Sequence, residues 1–391
     1  MLQLITNAHV FAPEDRGICH LLVGGGRVLG ISKDLDELAS PGARQIDVGG
    51  RRLIPGFVDG HAHVTGGGGE SGFKSRVPPV ALGQFTTAGV TSVVGVLGTD
   101  DTTRDTRSLV AQTRGLREEG LSAWCHTGGY HIPPVTLTGS VTDDIVFIDP
   151  VIGVGEVAIS DHRSSQPTTD EILRLASEAH VAGLISGKAG IVHLHLGDGD
   201  RGLALVRDAL DISELPARVF NPTHINRKKA LFDEALELAR RGCTVDITAF
   251  PVDDDEDAWP ADVALTRYLD SGAPEDRITV SSDGGGCLPK FNEQGEITEM
   301  DVGRPAMLAI TLKTLLDQGQ PLARVLPAFT SNVATILRLH DKGRIREGGA
   351  ADLIVLDEQH DIADVMIAGI WHVKDKQQQI FGQFEQSDSK P

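Results

Sequence analysis

Eight short apolar runs alternate with helical periodicity through the middle of this chain. They fall at Phe57–His61, Ser92–Val96, Ala123–Thr127, Val151–Glu156, Ile191–Leu196, Arg218–His224, Thr244–Phe250 and Ile278–Asp283. Strands separated by helices pair in parallel, and eight such units over roughly 290 residues match the count of a (β/α)8 barrel. A doubly wound open sheet is the alternative, but no Gly-x-Gly-x-x-Gly turn follows any of the runs. The helical stretches carry their own signals. Thr168-x-x-Glu171 is a capping box ahead of Ile172, Leu175, Ala176 and Ala179. Asn226 is expected to open a second helix, with Ala230, Leu231, Ala235 and Leu238 apolar and Gly242 as its stop. Met307 to Leu316 is expected to form another.

The two ends read differently. Leu2–Asn7, Leu21–Val23 and Arg27–Ile31 are strand-like, with Gly24-Gly25-Gly26 as a hairpin connection. Ala351–Leu356, Val365–Ile367 and Ile370–Val373 are strand-like too, with Ala368-Gly369 as a turn. Neither end has helical periodicity. The expected architecture is therefore α/β: a TIM barrel over 56–345 and a small β-sandwich domain built from both termini, 1–55 plus 346–391.

Composition narrows the function. A formal charge of −19 argues against nucleic acid or an anionic membrane as partner, and makes any anionic substrate depend on locally placed cations. No apolar run is long enough to span a bilayer, and the N-terminus turns polar too soon for a secretory signal. Cys19, Cys125, Cys243 and Cys287 show no CxxC spacing, which favours a reducing cytoplasm.

In such a barrel the chemistry sits at the C-terminal ends of the strands. His61 and His63 share one face of the first strand by the two-residue period. Glu156 ends the fourth run, His195 lies in the fifth, and His224 and Asp283 end the sixth and eighth. Singly, each has an ordinary structural explanation, as a core histidine or a turn carboxylate. Together in one barrel mouth they form a set of metal ligands. The acidic run Asp253–Asp257 reads as a solvated loop, and His126, His131 and His162 are given no role.

This layout resembles the amidohydrolase superfamily: a His-x-His pair on strand 1, a carboxylate on strand 4, histidines on strands 5 and 6, and an aspartate on strand 8. Within it the chain resembles the isoaspartyl dipeptidase family along nearly its whole length. The segments that carry this are Gly66–Glu70, Leu97-Gly98-Thr99, His126–Tyr130, Ile159–Ser164, His195–Asp198, Pro222–Arg227 and Ser282-Asp283-Gly284. The resemblance implies two divalent metal ions, zinc by preference. One would sit on His61, His63 and Asp283, the other on His195 and His224, with Glu156 and a hydroxide across both. It implies hydrolysis of a β-aspartyl dipeptide by that hydroxide, with Asp283 as general base and then acid. Tyr130 would donate to the developing oxyanion, Arg163 and Arg227 would hold carboxylates, and Glu70 would face the free amino group. Gly68, Thr99 and Cys287 complete the implied substrate contacts. A homo-octamer is implied as well. Two positions depart from the family pattern: Glu156 stands where a carbamylated lysine is common, and Cys287 where a serine is expected. The rival readings are another amidohydrolase, of dihydroorotase, hydantoinase or deacetylase type, and a metal-free scaffold on the same barrel.

Overall fold

The computed structural model describes residues 2–291 and 296–385, so the end of the expected C-terminal segment lies outside the described residues. Eight parallel strands follow in chain order: β1 (Phe57–Ala62), β2 (Val90–Gly95), β3 (Ser122–Thr127), β4 (Val151–Ile159), β5 (Val192–Leu196), β6 (Phe220–Thr223), β7 (Val245–Thr248) and β8 (Ile278–Ser281). β1 to β6 pair in sequence as one sheet, and β7 pairs with β8. Two seams close the ring. At the first, Asp283 N donates to His61 O (3.1 Å) and His63 N to Gly284 O (2.8 Å), which continues the parallel pairing from β8 onto β1.

At the second seam, between β6 and β7, side chains replace the backbone ladder. Asp246 on β7 is buried, and it accepts from Thr223 Oγ1 on β6 (2.7 Å) and from Thr279 and Ser281 on β8 (2.5 and 2.6 Å). Asn226 adds Nδ2 to Thr248 O (3.0 Å) and accepts from Thr248 N (3.0 Å). This corrects the expectation for Asn226. It caps no helix, because its amide is spent on β7; the helix opens three residues later, at Lys229–Arg240, behind a 3-10 turn over Ile225–Arg227. The Thr168 capping box is present, with Thr168 and Glu171 exchanging bonds ahead of Thr169–Ser186.

Strands from both termini join in one nine-stranded, largely antiparallel sheet among the described residues. Its central strand Leu353–Leu356 pairs with Arg52–Pro55 and with Ile362–Ile367. The two-residue period explains why these strands are apolar on both faces. Leu53, Leu353 and Val355 face a core that belongs to the sheet itself, with Ile5, Leu21 and Val28. Ile54, Ile354 and Leu356 face the other way, into the barrel's core beside Phe57. The strands thus form one continuous sheet enclosing its own core, not two separately bonded layers. A hairpin after β8, Cys287–Phe291 with Ile297–Val302, was not expected from the glycine run before it. No helix among the described residues is long and apolar enough to cross a membrane.

If the Asp246 carboxylate holds the second seam, Asp246→Ala leaves three buried hydroxyls without their acceptor. Chemical denaturation at fixed metal content should then show a loss of about 3 kcal/mol or more. Thr223→Val, which removes one donor, should cost about 1 kcal/mol.

Candidate active site

Strand ends and short backbone staples place the chemistry. His61 lies in β1 and His63 just beyond it, so both side chains leave by the same face. Gly98 makes room for the second ring: a Cβ there would stand 2.7 Å from His63 Cε1. His224 and Asp283 follow β6 and β8 in left-handed backbone, φ +61° and +50°. Residues other than glycine hold that conformation at a cost of about 1–2 kcal/mol. Here it is held by Thr248 Oγ1 against His224 Nδ1 (2.6 Å) and by the Asp283 N–His61 O bond. Glu156 lies inside β4, which runs on to Ile159 instead of ending at the glutamate, because Ala158 and Ile159 pair with His195 and Leu196.

These side chains meet on one carboxylate. Glu156 Oε1 is 3.2 Å from His63 Nε2; Glu156 Oε2 is 3.0 Å from His195 Nδ1, 3.4 Å from His224 Nε2 and 3.7 Å from His61 Nε2. Asp283 Oδ1 lies 3.1 Å from His63 Nε2 and 3.4 Å from His61 Nε2. All six expected ligands are buried. They fall into overlapping groups able to hold an ion: His61, His63 and Glu156; His61, His224 and Asp283; Glu156, His195 and His224.

The electrostatics call for cations. Burial opposes ionisation of Glu156, but the charges of His61 and His195 outweigh it and hold the carboxyl well below its usual range. Burial likewise opposes the charge on Asp283, and the adjacent imidazoles of His61 and His63 overcome it. For His63, burial disfavours the imidazolium, yet Asp283 and Glu156 lift its pKa to about 10. In the protein alone, then, protons supply the positive charge. His61 Nε2, Glu156 Oε1 and Asp283 Oδ1 nonetheless remain buried with no hydrogen-bond partner. Orphaned polar atoms of this kind are rare and expensive. A pair of divalent cations fits them: the donors are imidazole nitrogen and carboxylate oxygen, a set that suits zinc, cobalt, manganese or nickel.

A narrow cavity opens over this cluster, lined by His63, Gly68, Glu70, Thr99, Tyr130, Glu156, Arg163, His195, His224, Arg227, Asp283 and Cys287. Only His61 of the expected residues lies beneath its wall. Glu70 Oε1 meets Arg163 Nη1 at 3.3 Å, while its Oε2 is buried without a partner. Arg163 is already gripped by Asp161 through two bonds, 3.0 and 2.7 Å. Arg227 meets no carboxylate among the described residues; its Nη1 lies 3.1 Å from Leu196 O and 3.4 Å from His195 Nε2. The Tyr130 hydroxyl is 2.9 Å from His195 Nδ1, and burial and Glu156 push its pKa well above the usual phenol value. Burial, then Glu70, raises the Cys287 thiol to about 12, so it stays neutral.

Several contributors escaped the sequence reading. His193 sits two residues before His195 on β5 and meets His61 Nδ1 at 2.8 Å; the His-x-His spacing that singled out His61 and His63 was there to be read again. Asp161 joins His195 Nε2 (3.1 Å) to Arg163, a link only the fold creates. Arg104 binds the carbonyls of Gly67, Gly68 and Val77 and so shapes the loop that carries Glu70. Gly66 in that loop has φ +76°, and a Cβ would come 1.9 Å from Val77 O. The acidic run is not wholly solvated: Asp253 and Glu256 hold Lys290 of the hairpin at 2.5 and 2.8 Å. His131 pairs with Asp101 (2.8 Å), His162 is half exposed, and His126 is buried with neither nitrogen partnered.

Comparison with known proteins agrees with this geometry. The profile of the amidohydrolase family matches residues 52–374. The crystal structure of a β-aspartyl dipeptidase from Fervidobacterium islandicum AW-1, in complex with β-Asp-Leu dipeptide, superposes with a TM-score of 0.93 at 41% identity, covering 98% of this chain and 99% of that one. A dihydroorotase from Anaplasma phagocytophilum is 26% identical over 377 residues, 87% of this chain and 82% of its own. A 36% match to an N-substituted formamide deformylase from Arthrobacter pascens is confined to 66 residues, 16% of this chain and 12% of that protein. With six histidine and carboxylate side chains converging at the mouth of its barrel, this chain belongs to the amidohydrolase family and, within it, to the β-aspartyl dipeptidases.

Proposed function

We propose that this protein hydrolyses the β-aspartyl peptide bond of dipeptides in a metal-dependent reaction. One observation carries the reading: an unpartnered carboxylate oxygen, Glu70 Oε2, and a guanidinium without an acidic partner, Arg227, border the same cavity over the metal cluster. That pairing of charges suits a small zwitterion with a free amino group and a free carboxylate. The relative from Fervidobacterium islandicum, solved with β-Asp-Leu, supports the same substrate class.

Two zinc ions, held by His61, His63 and Asp283 and by His195 and His224 with Glu156 between them, would supply Lewis acidity and an acidified water. Asp283, kept ionised among its histidines, accepts the proton from the attacking water and returns it to the leaving amine. Tyr130 keeps its proton and donates to the carbonyl oxygen as charge builds there. Glu70 holds the α-ammonium, and Arg227 a substrate carboxylate. Arg163, with most of its fork on Asp161, adds one edge. Thr99 and the neutral Cys287 thiol contact the aspartyl end. Beyond Arg163 and Arg227 a wider recess, walled by Phe250, Pro251, Ala258, Leu288 and Pro289 together with Asp198, Lys228, Glu256, Asp257 and Lys290, gives room for the side chain of the leaving residue. Exposed Phe147, Leu184 and Ile185 on neighbouring helices support assembly into a homo-oligomer.

The purified protein should cleave β-Asp-Leu and leave α-Asp-Leu intact, because the α linkage moves the amide relative to Asp283 while both charged ends stay held. Comparable turnover of the two, or of dihydroorotate, would sink this assignment. Arg227→Lys should lower kcat/KM for β-Asp-Leu at least about tenfold, roughly 1.4 kcal/mol, with metal content unchanged. Kinetics near wild type would make Arg227 a structural residue. Glu156→Gln, almost isosteric but neutral, should lower the metal content from two ions per chain and remove most activity. Reconstitution of the wild-type apoprotein should not depend on added bicarbonate. Two metals retained by Glu156→Gln, measured by elemental analysis, would mean that Glu156 does not hold them together.

A further inference from the structure

Three residues on or beside adjoining barrel strands form a hydrogen-bonded line beneath the metal cluster. Asn221 on β6 places Nδ2 2.9 Å from the Thr244 carbonyl. A carbonyl can only accept, so the amide nitrogen must face it, and Asn221 Oδ1 must face the other way. That oxygen lies 2.7 Å from His193 Nδ1, and as an acceptor it requires the proton on Nδ1. His193 Nε2 in turn lies 2.8 Å from His61 Nδ1. Among the described residues Asn221 and His61 are the hydrogen-bond partners of His193, and neither is an anion. A neutral imidazole has one donor and one acceptor nitrogen, and with Nδ1 donating to Asn221 the acceptor is Nε2. Nε2 keeps its lone pair and accepts from His61 Nδ1–H. The Nδ1 proton of His61 is thus committed to His193, which leaves Nε2, facing Asp283 Oδ1 at 3.4 Å, as the nitrogen that can give up its proton to a metal ion.

We propose that His193 and Asn221 are positioning residues that lock the tautomer of His61, so that the Nε2 lone pair is always presented to a metal ion. The tautomer of an imidazole ligand is set by the bond its other nitrogen makes, and metal can bind only the deprotonated nitrogen. The orientation starts at a backbone carbonyl, which cannot titrate, and passes through an amide and one neutral ring. Neither His193 nor Asn221 reaches the cavity, and neither touches substrate in this arrangement. The inference rests on reading His61 as a metal ligand, but not on which substrate the site takes.

The test measures Zn2+ affinity of the full-length protein against a chromophoric chelator. His193→Phe, which keeps the ring's bulk and removes its acceptor, should weaken Zn2+ binding about 10- to 100-fold. His193→Gln, whose Oε1 can still accept from His61 Nδ1, should recover most of that loss. Unchanged affinity in His193→Phe, or a loss in His193→Gln as large as in His193→Phe, would overturn the proposal in favour of simple packing. Should His193→Phe fail to fold, neutron diffraction of the zinc-loaded wild-type protein decides the same point. Deuterium on Nδ1 of both His61 and His193 supports the relay; deuterium on His193 Nε2 overturns it. No dipeptide enters either measurement, so failure here leaves the proposed dipeptidase activity standing, and failure of that activity leaves these readouts intact.

Discussion

The mouth of this barrel is arranged around one buried carboxylate, that of Glu156. An ionised carboxyl withdrawn from water costs several kcal/mol unless positive charge or donors surround it. The fold surrounds Glu156 with four imidazoles from three segments: His63 on one oxygen, and His195, His224 and His61 on the other. The arrangement leaves acceptors and lone pairs facing one another without enough protons to satisfy them, as the orphaned His61 Nε2, Glu156 Oε1 and Asp283 Oδ1 show. Divalent cations would satisfy those atoms directly.

The rest of the structure serves to hold those donors still. Both barrel seams lie next to ligands. The β8–β1 closure is made by the backbone of His61, His63 and Asp283 themselves, so the element that completes the ring also sets ligand spacing. The β6–β7 seam gives up its backbone ladder for buried polar side chains, Asp246, Asn221 and Asn226, each fully engaged with neighbouring strands. Such networks are costly when incomplete and rigid when satisfied. The two candidate ligands in left-handed backbone, His224 and Asp283, lie beside these seams, whose bonds hold them there.

Around the cluster, charge is distributed unevenly between acid and base. Arg163 is drawn to Asp161, and Asp161 also orients His195, so metal-side and substrate-side groups share a carboxylate. Arg227 and one oxygen of Glu70 are left over. With a formal charge of −19 on the chain, an anionic group can be held only by such a local surplus, and the cavity supplies one cation for it.

Much of this was legible from the chain alone, because the relevant physics is periodic. The two-residue period of strands aligned His61 with His63, the alternation of apolar runs and helices counted out eight barrel strands, and the run of residues 351–356 read as a strand. Strand ends then named the six candidate ligands before any coordinate was known. Partners that depend on distance across the barrel had no such signature. Asp161 under His195, Asn221 behind His193, Asp246 at the second seam and Arg104 beneath the glycine loop reach partners 23 to 36 residues away in the chain. Asn226, read as a helix cap, was claimed instead by β7, since a local propensity yields to a buried backbone group in need of a partner. By itself, then, the sequence determined which residues would stand at the barrel's mouth, because strand geometry repeats every two residues. Tertiary structure alone decided which nitrogen and which oxygen each would present, because a hydrogen bond is settled by the partner that closure of the ring brings within 3 Å.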